Sequence, residues 1–114
     1  MEKLKLYNIS KEFYIYIIHI LTQIPKVHTH YKIKVEDSIT LLIENIVHAN
    51  INSKSIRTKY IKECLVNISM LDFYLGIMYD LKILDGVKYK RILKYIDNIK
   101  SLTYGWLRSE EIKN

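Results

Sequence analysis

Residues 35–49 read VEDSITLLIENIVHA, and the spacing of their apolar side chains decides the fold class. Val35, Ile39, Leu42, Ile46 and Ala49 recur every three to four positions, while Asp37, Thr40, Glu44 and His48 occupy the opposite side. With 3.6 residues to a turn, that is a helix half buried and half wet. The period-two alternation of a strand is missing.

Working outward, the chain's breakers fall at three joints. Pro25 closes the apolar run before this helix, Asn50-Ile51-Asn52-Ser53 follows it, and Asp85-Gly86 divides the remainder. Because proline disfavours helix for the residue before it, Ile24 is expected to end the first helix and Thr29 to cap the second. The joints predict helices at about 6–24, 30–50, 54–83 and 86–108. With three glycines and one proline, the chain lacks the turn punctuation of a many-stranded fold. The expectation is an all-α, antiparallel up-and-down four-helix bundle in one domain over residues 1–114.

The other segments supply matching faces. Phe13, Ile17, Ile20 and Ile24 line the first, with Glu12, Tyr16, His19 and Gln23 on another side. Ser53 is a plausible N-cap for the third, which carries Ile61, Cys64, Ile68, Leu71, Leu75 and Met78 on one face. It also carries a second apolar stripe: Val66, Met70, Phe73 and Ile77. A helix apolar on two sides either sits at a bundle's centre or shows one face to another subunit, since a bare stripe of that length is a sticky patch. We favour the second option, so these four residues are the expected oligomer interface. The fourth segment, capped by Asp85, turns Ile92, Ile96, Ile99, Leu102 and Trp106 inward, with Gly105 a candidate stop or kink.

Composition narrows the function. A hydrophobic content of 49% supports an ordinary core, and the single Cys64 excludes an internal disulfide, which suits a reducing cytoplasm. Lys11 and Glu12 precede the candidate leader's apolar run, His19 interrupts it, and no apolar stretch approaches the roughly 20 residues of a membrane span. Net charge is +6 with a pI near 9.3, an electrostatic bias toward polyanions. Fifteen of the eighteen basic residues are lysines, which favours backbone contact over base reading.

That charge forms three groups. Lys26, Lys32 and Lys34 lie with His28 and His30 around the first joint. Lys54, Arg57, Lys59 and Lys62 open the third helix, and Lys88, Lys90, Arg91 and Lys94 open the fourth. Cations at helix starts oppose the helix dipole, so they serve something other than local stability. These eleven Lys and Arg residues are the candidate nucleic-acid contacts, with unperturbed histidines adding charge below about pH 6.5. Tyr31, Tyr60, Tyr89 and Tyr95, interspersed among them, are either stacking surfaces for bases or edges of the core.

Catalytic chemistry has little to rest on. His28-x-His30 offers two imidazoles where a metal needs three or four convergent ligands. Glu44 and His48 stand at i,i+4 without the repeated Glu-x-x-His of a di-iron bundle. None of Arg57, Arg91 and Arg108 has a histidine five positions on, so the Arg-x4-His pair of some helical ribonucleases is missing. Cys64 has no adjacent activating base, and no phosphate loop or serine elbow occurs. We expect no catalytic residue, metal site or cofactor.

As an ordered set, several features resemble the Avd-like family, the accessory variability determinants of diversity-generating retroelements. They are Ile24-Pro25-Lys26, Glu36-Asp37 opening a helix that ends IENIVHAN, Lys59, a third helix ending LGIMYDLKIL, Tyr89, and Tyr104-Gly105-Trp106-Leu107-Arg108. The likeness runs from about Phe13 to Ser109, with Lys32 where a glycine is expected and Gly76 where an arginine is frequent. It implies a homopentameric barrel of bundles with a basic surface that binds RNA and a reverse transcriptase, supporting mutagenic copying without catalysing it. DNA is an alternative ligand. Four-helix proteins encoded in intervening sequences of large-subunit ribosomal RNA genes share the architecture, although their Asn-Ile-x-Glu-Gly pattern is missing. A scaffold that engages only protein is a further alternative.

Overall fold

The computed structural model describes residues 2–112. Four α-helices follow in order: α1 (Glu2–Thr22), α2 (Thr29–Ile51), α3 (Lys54–Asp80) and α4 (Gly86–Ile112), with a 3-10 turn at Lys26–His28. No strand occurs among the described residues. Each helix packs against its neighbour in sequence, α4 closes on α1, and the diagonal pairs are not backbone neighbours. The bundle is therefore square and up-and-down, 48 Å long and about 20 Å across.

The stripes read from the sequence form its core. Phe13, Ile17, Ile39, Leu42, Ile46, Ile61, Ile68, Leu71, Leu75, Met78, Ile92 and Ile99 are fully buried, each worth roughly 1.5–3 kcal/mol of transfer free energy. Asn45 Nδ2 donates to Asn67 Oδ1 at 2.8 Å across α2 and α3, a polar bond that specifies their register.

The ends differ from expectation for identifiable reasons. Amides of Gln23 and Ile24 bond to Ile20 and Leu21 carbonyls, so the last turn of α1 tightens and the helix stops at Thr22 instead of Ile24. Thr29 does not cap α2: its hydroxyl donates to the Lys26 carbonyl. Ser53 occupies the N-cap position of α3 without a side-chain capping bond. That helix ends at Asp80, short of 83, because Lys82 adopts φ 63° and the amides of Ile83 and Lys82 return to the carbonyls of Met78 and Tyr79. This is a Schellman ending, with lysine where glycine is usual. Asp85 does cap α4, its Oδ1 accepting from the Lys88 amide at 2.8 Å. That bond, with the Lys88 ammonium beside it, holds the Asp85 carboxyl below its ordinary value. Gly105 does not stop α4. The helix runs on to Ile112, and the buried Thr103, Trp106 and Glu110 offset the roughly 1 kcal/mol that one helical glycine costs.

Candidate nucleic-acid interface

The antiparallel order sorts the three basic groups by end. The α1–α2 and α3–α4 joints lie at one end of the bundle and the α2–α3 joint at the other. Lys26, Lys32 and Lys34 therefore share an end with Lys88, Lys90, Arg91 and Lys94, while Lys54, Arg57, Lys59 and Lys62 sit at the far end. Contacts tie the α4 group to α1: Lys88 Nζ reaches Gln23 Oε1 at 3.4 Å, and the Arg91 guanidinium lies 4.7 Å over the Tyr16 ring.

Within that end the cations have different duties. Lys26, Lys34, Lys90, Arg91 and Lys94 are exposed. Lys32 donates at 3.0 Å to the Ile24 carbonyl, satisfying a group left open where α1 stops. Lys88 pairs with Asp85 at 3.5 Å. At the far end, Arg57 is consumed by the fold: its guanidinium donates to the Ala49 and Asn52 carbonyls and to Glu110, which is buried. Lys59 and Lys62 remain exposed and Lys54 half-buried.

The tyrosines are core edges with partners inside the chain. Tyr95 stacks on Phe13 at 5.0 Å and leans on Tyr16, Tyr60 stacks on His48, Tyr89 on Tyr79, and Tyr31 meets His30 edge-on. Burial raises the Tyr89 hydroxyl above its ordinary value. Between α1 and α4 Tyr16 and Tyr95 line a groove of about 310 Å³ together with Glu12, Ile15, His19 and Arg91. The Arg91–Tyr16 pairing across it is not legible in the sequence, although the helical period already puts Tyr16 and His19 on one face.

On the opposite side of α3 from the core, Val66 and Phe73 are 54% and 55% exposed, Met70 is exposed and Ile77 half-buried. Those four follow one line along the helix, with Val66, Met70 and Phe73 bare in the single chain and Ile77 partly covered. Cys64 is fully buried against the Leu42 carbonyl, and burial pushes its thiol up to about 12, so it is neutral at any physiological pH. Among the described residues no three His, Cys, Asp or Glu side chains converge as metal ligands. No helix among them is long and apolar enough to cross a membrane.

The fold and its charge define the class: an up-and-down four-helix bundle with exposed basic side chains at both ends. No protein-family model matches the chain, and no curated protein is significantly similar. Its fold is similar to the crystal structure of a protein of unknown function from the S23 ribosomal protein family of Bacteroides thetaiotaomicron, with a TM-score of 0.87 and 15% identity. The match covers 95% of this chain and 99% of that one. At that identity the likeness concerns the fold.

Proposed function

We propose that this bundle is a non-catalytic, self-associating RNA-binding accessory protein, the role implied by the Avd-like resemblance, with a reverse transcriptase as its protein partner. The observation that carries the nucleic-acid part is the placement of two basic groups at one end, where Lys26, Lys32, Lys34, Lys82, Lys88, Lys90, Arg91 and Lys94 outnumber Glu36, Asp37, Asp72, Asp80 and Asp85. Phosphates neutralised there release counterions, so affinity falls steeply with salt. The bare stripe of α3 supports self-association.

The test compares two triple variants by RNA binding across a salt series. Replacing Lys88, Lys90 and Lys94 by Glu should weaken binding at least tenfold and lower the salt slope by about one for each phosphate no longer neutralised. The same change at Lys54, Lys59 and Lys62 should have a much smaller effect. Equal losses would remove the polar assignment; no RNA binding by the wild type in moderate salt would leave a scaffold for protein alone.

The structural neighbour's family name favours a second reading, in which the RNA is ribosomal. Enrichment of ribosomal RNA over other transcripts on the purified protein supports it, whereas nuclease-resistant co-purification with a reverse transcriptase supports the first.

A further inference from the structure

We propose that the α1–α4 groove takes an unpaired nucleobase, so that the RNA held at the basic end is single-stranded where it crosses this groove. This rests on the RNA-binding reading and specifies what that site accepts. The Arg91 guanidinium carbon lies 4.7 Å over the Tyr16 ring and Arg91 is itself exposed, so a base can reach the guanidinium from solvent and stack on it. Tyr95, stacked on Phe13 and tilted against Tyr16, makes the floor rigid.

Charge separates base from phosphate. Glu12 lines the same groove as Arg91, yet the two form no ion pair, and the guanidinium has no hydrogen-bond partner among the described residues. A carboxylate there repels phosphate and accepts N–H groups from a base edge. Lys88, Lys90 and Lys94 lie along the same end of α4, within about one turn of Arg91, where the flanking phosphates can rest. An aromatic and guanidinium platform beside a lysine track is how single strands are held without reading sequence. A duplex, with its bases stacked inside, could use the lysines but not the groove.

Fluorescence anisotropy on the intact protein tests this with three RNA probes of about ten nucleotides, near the usual single-strand site size. They are a single strand, the same strand with abasic sites and unchanged phosphates, and a duplex. The single strand should bind about tenfold tighter than the abasic strand, the scale of one stacked base. Arg91→Lys, which keeps the charge but removes the plane, should reduce the single strand to the abasic level with the salt slope unchanged. Lys94→Ala should instead lower the slope for all three probes. If the strands with and without bases bind alike, or Arg91→Lys is silent, the groove assignment is wrong while salt-sensitive binding upholds the RNA reading. If no probe binds, both fall.

Discussion

Arg57 shows how one side chain can be withdrawn from a surface role by the fold around it. Read with its lysine neighbours it belongs to a basic group, but its three donors reach Ala49 O at 2.9 Å, Asn52 O at 3.0 Å and Glu110 Oε1 at 3.1 Å. The first two are carbonyls at the end of α2, so Arg57 closes that helix, and the third fastens the last turns of α4 to the same corner. Arg57→Ala should cost about 3 kcal/mol, since it removes those bonds and the cation facing a carboxylate only 2% exposed. Arg57→Lys should recover less than half, because one ammonium lacks the planar fork. Urea unfolding measures both, and a loss under about 0.5 kcal/mol for the alanine variant would show that the corner is held by other contacts. The partner was legible in principle: Glu110 continues the register of Ile92, Ile96, Ile99 and Trp106. It was hidden because Gly105 suggested an early end to the helix.

At the scale of elements, periodicity was the reliable signal and termini were not. The buried faces of α2 and α3 are those the apolar spacing marked, since burial and a 3.6-residue turn leave one solution for each. The end of α3 was misplaced because LKIL continues an apolar run, while the backbone leaves the helix at a left-handed Lys82 that no side-chain pattern announces. The outer stripe on α3 was legible for the same reason as the inner one, and it carries its own expectation. Replacing Phe73 by Ser and Ile77 by Asn should abolish self-association in light scattering while helicity is retained. Phe73 is 55% exposed and lies away from the core, so its loss leaves the packed face intact. Retained assembly in this double variant would move the interface elsewhere, and loss of helicity would mean the stripe supports the single chain.

For the whole molecule, topology brings two of the three basic groups to one end and the third to the other, a step that needs the direction of all four helices and not the composition of any one. The stripe on α3 runs along the long axis, whereas the basic groups lie at its ends. Subunits joined side by side through α3 in a cyclic ring would place their basic poles on one rim, and a long RNA could then engage several at once. Linked sites act at high effective concentration, so the assembled protein should bind a long RNA about 10²-fold more tightly than the Phe73→Ser, Ile77→Asn variant, whose poles are chemically unchanged. A short RNA that spans one pole should bind both proteins alike. That pair of results separates avidity from damage to the site. An antiparallel dimer predicts a different outcome, because its poles face opposite ways and a long RNA gains little. Equal affinity of both proteins for the long RNA would therefore exclude the shared rim, and weaker binding of the short RNA by the variant would show that α3 itself contacts the strand.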